Sequence, residues 1–262
     1  MSRDTTHVAI LAAGRGTRLG AAVKTRPKWL LDLDGMTVAD WHLRAIAAAR
    51  RLLPQAAIEV HVVTGHAADA VRGYARRCGQ DDLHILHNPA YERLNNWYSL
   101  LVALRAIPTR DTRVVVINGD LFVPQGWMAH FLVDAATTTA EALVAVDMER
   151  PLTDESMKVS SGVADGADAA TLLAIGKTGV TDPVGEYIGM LMASGSVLSD
   201  LRRRLEGFVG VPDAADAWYE RAMGHSARAG KEWRLWATPD SGWVEIDDDA
   251  DRQKALALLP QE

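Results

Sequence analysis

Short apolar runs alternate with helical patterns along the first half of the chain. Runs with the length of a buried strand occur at residues 7–13, 58–64, 83–86, 113–117 and 143–146. Apolar residues at helical spacing predict helices at 38–52, 67–77 and 96–107, and Thr37 is a suitable N-cap for the first of them. Strands that alternate with helices in this way predict an α/β fold with a parallel, doubly wound sheet.

The second half of the chain has a weaker pattern. Candidate strands lie near residues 157–160, 187–192, 233–237 and 243–246, and candidate helices near 196–205, 213–225 and 249–259. The sequence contains no internal repeat, no low-complexity tract and no linker long enough to separate two domains. We therefore expect a single domain over residues 1–262.

Composition excludes several classes of protein. The 262 residues include 28 Lys+Arg and 34 Asp+Glu, a net charge of −6, which argues against general nucleic-acid binding because that function needs a basic face. No apolar run approaches the ~18 residues of a membrane span, and residues 1–6 lack the apolar region of a signal peptide. The single cysteine, Cys78, has no partner for an internal disulfide, so a cytoplasmic location is expected.

The charge is unevenly distributed. Between Thr5 and Leu31 there is no acidic residue, whereas five basic residues occur there: Arg15, Arg18, Lys24, Arg26 and Lys28. A basic loop in an acidic protein concentrates positive potential, as a site for a small anion requires. A solvated surface loop has the same composition, so charge alone leaves both interpretations open.

A glycine-rich segment, LAAGRGTRLG at residues 11–20, follows the first predicted strand. Small residues allow the backbone to approach a ligand closely, and successive N–H groups can point at phosphate oxygens. The spacing of Gly14, Gly16 and Gly20 is one residue too long for a dinucleotide-binding fold, and a P-loop is also excluded because no Lys-Ser/Thr pair follows at the required offset. By itself the segment is weak evidence for a phosphate site.

Basic residues strengthen the phosphate-site interpretation. Arg18 offers a planar fork for bidentate phosphate contact, and Lys28 offers a point charge. Pro27 restricts the backbone immediately before Lys28. Together they are typical of a triphosphate cradle with a lysine directed at the reacting phosphate, and the alternative is an exposed loop between a strand and a helix.

The segment 11–19, together with Pro27-Lys28, resembles the signature of the nucleotidyltransferases that activate sugar phosphates and related small phosphates. Other segments are similar to the cytidylyltransferase branch that acts on phosphocholine or phosphonates: Asn88-Pro89, Tyr91, 95–100, 157–159, 175–177, 185–189 and 245–247. The resemblance implies a nucleotide-diphospho-sugar transferase fold, which is Rossmann-like with a mixed, mostly parallel sheet. It also implies a nucleotide-binding half, residues 1–130, and an acceptor-binding half, residues 131–262.

Two aspartates are candidate ligands of Mg²⁺, the cofactor that the resemblance implies. Asp120 ends Asn118-Gly119-Asp120, where relatives usually have an aspartate at the first position as well; a hairpin turn is the alternative interpretation of Asn-Gly. The resemblance makes Asp247 the second ligand, with Glu245 a weaker candidate, although Asp247 would also suit the N-terminus of the last helix. Two carboxylates and substrate phosphates suffice for Mg²⁺.

Histidines are interpreted as structural. His84 and His87 lie three apart on a predicted strand and therefore point to opposite faces. We find no third ligand near His61 and His66 in the sequence.

The implied reaction joins a nucleoside triphosphate to a small phosphate or phosphonate. Lys28 would stabilise charge at the α-phosphorus, and Arg18 would hold the departing phosphates. The branch favours CTP over UTP, with candidate nucleotide contacts at Leu11, Ala12, Ala13, Gly14, Arg15, Gly16, Thr17, Gly65, Asn95 and Ser99. Candidate acceptor contacts are Lys158, Lys177, Glu186, Trp218 and Tyr219, the two aromatic residues as a cage for a quaternary ammonium.

The sequence therefore predicts transfer of CMP from CTP to a phosphonate such as 2-aminoethylphosphonate, or to phosphocholine, with release of pyrophosphate. One alternative is a sugar-1-phosphate nucleotidyltransferase that uses UTP, dTTP or CTP; another is a non-catalytic nucleotide-binding regulator, which the retention of Lys28 disfavours. A nicotinamide dehydrogenase, with Asp32 or Asp34 on the ribose, conflicts with the glycine spacing. Small-molecule substrates are the expected partners, and a homodimer is compatible with the sequence.

Overall fold

The computed structural model describes residues 5–23, 25–80, 82–108, 112–163 and 170–259, so Lys24 of the basic segment lies outside the described residues. The strands are β1 Thr5–Ala12, β2 Asp32–Leu33, β3 Met36–Thr37, β4 Ala57–Thr64, β5 Leu83–His87, β6 Thr112–Asn118, β7 Leu121–Phe122, β8 Ala142–Asp147, β9 Lys158–Val163, β10 Ala170–Gly176, β11 Gly185–Ser194, β12 Arg234–Ala237 and β13 Val244–Glu245. The helices are α1 Val38–Leu52, α2 Ala68–Arg77, α3 Asn96–Ala106, α4 Gln125–Thr137, α5 Gly195–Glu206, α6 Glu220–Arg228 and α7 Asp249–Ala257. Short 3₁₀ segments occupy Thr17–Val23, Lys28–Leu30 and Pro212–Ala214.

The main sheet has the strand order β5-β4-β1-β6-β11-β8-β12-β10-β9. The first four strands are parallel and form the doubly wound half of the fold. Of the described strands in this sheet, β11 and β10 run against their neighbours. The sheet is therefore mixed and mostly parallel, which confirms the predicted fold class. Across the described segments, no helix has both the length and the apolar character needed to cross a membrane.

Helices cover both faces of the sheet. Val8 and Ile10 of β1 belong to the core beneath α1 and α4, whereas Ala9 belongs to the core beneath α3 and α5. Because both faces are buried, β1 is apolar at successive positions over residues 8–12, where the two cores cover it. The two cores hold the carboxyl ends of β1 and β6 at one edge of the sheet.

Helix α1 begins where the sequence predicts. Oγ1 of Thr37 accepts a hydrogen bond from the backbone N–H of Asp40 at 3.1 Å, and Oδ2 of Asp40 accepts one from the N–H of Thr37 at 2.7 Å. This capping box satisfies two backbone donors that the first helical turn leaves without partners.

Some predicted elements differ from the observed ones. The helix predicted near 213–225 begins only at Glu220, because a 3₁₀ turn at Pro212–Ala214 precedes it. The sequence pattern predicts no helix at the position of α4 and no strand at the position of β10. Six residues of α4 are buried, and its exposed side is a narrow strip with Gly126, His130, Asp134 and Thr137, so the polar face is too small to stand out in the sequence. Asn-Gly at 118–119 is not a hairpin, since β7 pairs with β13 rather than β6.

The strand register brings potential ligands to His61 that are distant from it in the sequence. No third ligand is predicted near His61, but β1 and β4 pair with His7 opposite Glu59, two positions from His61. Alternate residues of a strand share a face, so these three side chains meet on one side of the sheet. Sequence separation hides this grouping because it depends on how two strands are aligned.

Candidate active site

A cleft of about 1130 Å³ opens at the carboxyl ends of β1 and β6. The backbone N–H of Gly119 donates to the carbonyl of Leu11 at 3.0 Å, which closes the two strand ends together. A Cβ at position 119 would lie 2.7 Å from that carbonyl oxygen, so the approach requires glycine. Doubly wound sheets bind ligands at this edge.

A lysine lies between two carboxylates in the cleft. Nζ of Lys28 lies 3.0 Å from Oδ2 of Asp120 and also donates to Oδ1 of Asp247. Nη2 of Arg18 lies 2.7 Å from the other oxygen of Asp247. Burial alone would lower the pKa of Lys28, but the two aspartates outweigh burial and raise this pKa above its usual value. Lys28 is therefore charged at neutral pH.

A buried histidine connects the two sides of this cluster. Nε1 of Trp29 donates to Nδ1 of His42 at 3.2 Å, and Nε2 of His42 donates to the carbonyl of Leu121 at 2.7 Å. Trp29 follows Lys28 and Leu121 follows Asp120, so the link fixes the backbone on both sides of the ion pair. Burial lowers the pKa of His42 to about 4, so the ring is neutral and can donate and accept at once. Sequence reasoning missed His42, because a histidine on the buried face of a helix carries no distinguishing signal.

The pairing of β7 with β13 assembles an acidic cluster. Leu121 is paired with Glu245, and the N–H of Ile246 donates to the carbonyl of Asp120 at 2.9 Å. Carboxylate oxygens of Asp120, Glu245 and Asp247 consequently lie within 4.8 Å of one another. Hard oxygen donors of this kind suit Mg²⁺. Glu245 keeps an exposed side chain, and desolvation at the cleft wall, followed by the charges of the two aspartates, raises its pKa above the usual value.

The residue that caps the N-terminus of α7 is Asp248, and not Asp247. Oδ1 of Asp248 accepts from the N–H of Asp251 at 3.0 Å and caps α7. Both side-chain oxygens of Asp247 instead face basic groups in the cleft. The structure thus brings the two predicted metal ligands together, and it adds Glu245 to them.

Most of the candidate nucleotide-contact residues line the cleft: Leu11, Ala12, Ala13, Gly14, Gly16, Asn95 and Ser99. Three candidates lie outside its lining. Arg15 is exposed and lies 4.0 Å from Glu92, and Thr17 is exposed at the start of a 3₁₀ turn. At Gly65 a Cβ would be 2.6 Å from the side chain of Tyr91. Glycine at this position therefore permits the close packing of Tyr91.

The acceptor-side candidates separate into two groups. Lys177, Glu186 and Trp218 line the cleft. Nζ of Lys177 lies 2.7 Å from Oε2 of Glu155 and 5.1 Å from the centre of the Trp218 ring. Burial raises the pKa of Glu186.

The other two acceptor candidates are structural. Nζ of Lys158 donates to the carbonyls of Thr153 at 2.6 Å and Lys177 at 2.9 Å, and it thereby links the segments on which these two residues lie. Lys158 lies outside the cleft lining. Tyr219 is fully buried, and its hydroxyl donates to Oδ1 of Asn118 at 2.9 Å. A ring in that position cannot form part of a cage, and Asn118 uses its oxygen to accept this bond.

Glu220 is a cleft residue that sequence reasoning missed. It lines the cleft with only 5% of its surface exposed, and its Oε2 has no hydrogen-bond partner among the described residues. Burial raises the pKa of Glu220 to about 7. A buried acceptor without a partner is costly, which makes it a candidate for ligand contact. A glutamate at a helix start gives no such signal in the sequence.

The profile of the MobA-like NTP transferase domain matches residues 8–207. The chain belongs to this family. This NTP transferase is also 32% identical to the bifunctional protein GlmU of Pseudomonas putida strain GB-1 over 181 residues, which cover 66% of this chain and 36% of GlmU. It is 27% identical to the CMP-5′-(3-aminopropyl)phosphonate synthase of Streptomyces rubellomurinus over 262 residues, 95% of this chain and 38% of that protein. The chain spans little more than a third of the length of these relatives.

The fold of this NTP transferase is similar to that of the CTP:phosphocholine cytidylyltransferase from Streptococcus pneumoniae. The TM-score is 0.68 at 16% identity, with 98% of this chain and 100% of the other covered. The resemblance deduced from the sequence and the nucleotide-diphospho-sugar transferase type of fold are thereby confirmed. NTP transferase activity is the activity that the description of the matched family gives.

Proposed function

We propose that this NTP transferase moves CMP from CTP to a small phosphonate that carries an amine, with release of pyrophosphate. The observation that carries the proposal is the charged Lys28, held between Asp120 and Asp247 at the edge of the sheet where β1 ends. The synthase of Streptomyces rubellomurinus, which aligns with 95% of this chain, supports the choice of acceptor. Residues 1–130 would hold the nucleotide and residues 131–262 the acceptor.

The reaction needs no nucleophilic side chain. A phosphonate oxygen attacks the α-phosphorus of CTP, a new P–O bond forms, and the bond to the β-phosphate oxygen breaks so that pyrophosphate leaves with the electron pair. Lys28 stabilises the negative charge that grows on the α-phosphoryl oxygens. Arg18, whose side chain is 68% exposed, is free to turn from Asp247 towards the departing phosphates.

Asp120, Asp247 and Glu245 would hold a divalent cation, and their oxygen donors fit Mg²⁺. When bound, such a cation neutralises phosphate charge and orients the phosphates. Among the described residues of this cluster, Lys28 and Arg18 provide the opposite charge. Lys28 and Arg18 thus offset the charges of Asp120 and Asp247 before a triphosphate enters the site.

Two carboxylates on the acceptor side favour an amine. Glu186 and Glu220 line the cleft, and Oε2 of Glu220 lacks a donor among the described residues. A primary ammonium has N–H groups that satisfy this oxygen, whereas the quaternary ammonium of phosphocholine has none. Lys177 is the phosphonate contact in this proposal, with Glu155 and the Trp218 ring holding its ammonium in the cleft.

We assign contact with the nucleotide base to the backbone of residues 11–13 and to Asn95 and Ser99. Asn88 donates to Oγ of Ser99 at 2.9 Å, so the hydroxyl is oriented by a fixed neighbour. Asn95 caps α3 through its side-chain oxygen and donates through its side-chain nitrogen Nδ2 to the carbonyl of Asp216 at 3.1 Å. These short polar groups suit a pyrimidine, and CTP is preferred over UTP in the proposal.

The test is a matrix of four nucleoside triphosphates against acceptors, with Mg²⁺ and pyrophosphate release as the measurement. The acceptors are 2-aminoethylphosphonate, 3-aminopropylphosphonate, phosphocholine and sugar 1-phosphates. We expect the highest kcat/KM for CTP with an aminoalkylphosphonate, with the CMP adduct identified by mass spectrometry. Turnover confined to sugar 1-phosphates would contradict the acceptor assignment. Tight CTP binding without turnover of any acceptor would identify a nucleotide-binding regulator instead.

A further inference from the structure

Four potential metal ligands meet on one face of the sheet, near the amino-terminal ends of three strands. The register pairs His7 of β1 with Glu59 of β4, and His61 of β4 with His84 of β5. Paired residues of neighbouring parallel strands point to the same face, as do residues two apart on one strand. All four side chains therefore lie on the side covered by α3. His7 precedes Ala12 by five residues, roughly 17 Å along the strand, so this cluster is separate from the cleft.

The spacing of the donor atoms suits a small cation. Nδ1 of His7 lies 2.9 Å from Nε2 of His61 and 3.3 Å from Oε2 of Glu59. Nε2 of His61 lies 3.9 Å from the same carboxylate oxygen. A tetrahedral ion with bonds of about 2.0–2.1 Å needs ligand atoms about 3.3 Å apart. The observed distances lie on both sides of this value, so small side-chain adjustments would make the three atoms equidistant.

A fourth ligand is available beside these three. Nε2 of His84 lies 3.8 Å from Oε2 of Glu59, and its ring stacks on that of His61 with centroids 4.7 Å apart. Half of the His84 side chain is exposed, which gives the ring freedom to turn towards the other donors. In contrast, His7 and His61 are buried.

Hydrogen bonding among the histidines does not explain their burial. One contact, between His7 and His61, accounts for one nitrogen of each ring. Nδ1 of His61 is buried and has no hydrogen-bond partner in the part of the chain that the structure describes. Coordination through Nε2 would place the proton of the neutral His61 ring on Nδ1, so Nδ1 is a donor in the loaded site and not a ligand atom.

We propose that His7, Glu59 and His61 form a second metal site, with His84 as the fourth ligand. Imidazole nitrogens and one carboxylate select a borderline dication of the Zn²⁺ class rather than Mg²⁺. The ion would cross-link β1, β4 and β5 at the edge of the sheet opposite the cleft. The site is thus structural, and it differs in donor chemistry from the carboxylate cluster at Asp120.

The test uses the full chain after chelator treatment, and Zn²⁺ is the titrant in calorimetry. The buffer contains excess Mg²⁺, so that the proposed Mg²⁺ site in the carboxylate cluster is filled before Zn²⁺ is added. We expect one Zn²⁺ per chain, a rise in Tm on binding, and visible absorption typical of tetrahedral coordination when Co²⁺ replaces Zn²⁺. Glu59→Gln and His84→Ala change half-exposed side chains, so both variants should fold, and we expect at least a tenfold loss of Zn²⁺ affinity for Glu59→Gln.

His87→Ala is the matched control, because His87 lies on the same strand as His84 but on the opposite face. We expect this variant and Asp120→Asn to bind Zn²⁺ as the unaltered chain does. Equal Zn²⁺ affinity for the unaltered chain and Glu59→Gln would overturn the proposal. Loss of Zn²⁺ binding in Asp120→Asn would equally overturn it, since the ion would then belong to the cleft.

Discussion

Nζ of Lys28 lies 3.0 Å from Oδ2 of Asp120, although 92 positions separate the two residues. The same nitrogen donates to Asp247, which is 219 positions away. Three distant segments thus supply one charged cluster, and the lysine is the residue common to both contacts. The chemistry of the cleft should respond most strongly to this side chain.

Replacing Lys28 with methionine removes the charge and keeps most of the side-chain volume. We expect kcat to fall by about 10²–10³, because a charge aimed at the developing transition state is lost. Steady-state pyrophosphate release measures the effect, and circular dichroism checks folding. Lys231→Met, at a partly exposed lysine that contacts Ser196, is the control. Near-normal turnover of Lys28→Met would remove Lys28 from the mechanism.

The His42 link should support both stability and activity. His42→Ala leaves Nε1 of Trp29 and the carbonyl of Leu121 without their partner. Each unsatisfied buried group costs about 1–3 kcal/mol, so we expect unfolding free energy to fall by about 2–5 kcal/mol in urea titrations. We also expect kcat to fall, since the backbone on both sides of the Lys28–Asp120 pair loses its connection.

His130→Ala is the matched control for this variant, since His130 also lies on a helix but is exposed. Its unfolding free energy should change by less than about 0.5 kcal/mol. A similar loss in both variants would show that the link through His42 has no particular importance.

The same histidine should make stability depend on pH. Burial lowers the pKa of His42 to about 4, below the 6.5 of an unfolded histidine. Between these values the unfolded chain binds a proton that the folded chain does not, so stability falls as pH decreases from 6.5 to 4. The contribution is about 3 kcal/mol over that range. His42→Gln should lower the stability at pH 7 and reduce the slope of unfolding free energy against pH; an unchanged slope contradicts the assignment.

Glu220 should matter to the acceptor rather than the nucleotide. We expect Glu220→Gln to raise KM for an aminoalkylphosphonate by about 10-fold or more, because a charge-assisted hydrogen bond contributes about 1.5–3 kcal/mol. KM for CTP should stay within about twofold. As the pKa of Glu220 is about 7, affinity for the amine should improve as pH rises through 7 and the carboxylate forms. Glu232→Gln, at an exposed residue, is the control, and equal effects on both substrates would place Glu220 outside the acceptor site.

Local signals made much of the fold predictable. Helix α1 follows from Thr37 and the apolar spacing behind it, and the parallel strands follow from their length and composition. Helix α4 lacks such a signal because buried residues cover most of its circumference and only a narrow strip is exposed. The helix near Glu220 begins late because tertiary contacts, among them the N–H of Tyr219 to Asn96 at 3.0 Å, hold the preceding segment out of the helix.

The site was predictable where it depends on adjacent residues and unpredictable where it depends on strand alignment. The glycine segment, Lys28 and Asp120 could be identified because they match short motifs of the family that the sequence resembles. Glu220 and His42 could not, since their importance comes from burial and from partners distant in the sequence. The same reason hid the neighbours of His61, which only the register of β1 and β4 reveals.

The two-residue pairing of β7 with β13 has a consequence for how the chain can be divided. The family profile ends at residue 207, whereas Glu245 and Asp247 lie beyond it. A fragment restricted to the profile would keep the glycine segment, Lys28 and Asp120. It would lose Asp247, the second carboxylate to which Lys28 donates a hydrogen bond. The segment that the family profile matches therefore lacks part of the charged cluster. We expect a fragment that ends before β13 to be inactive.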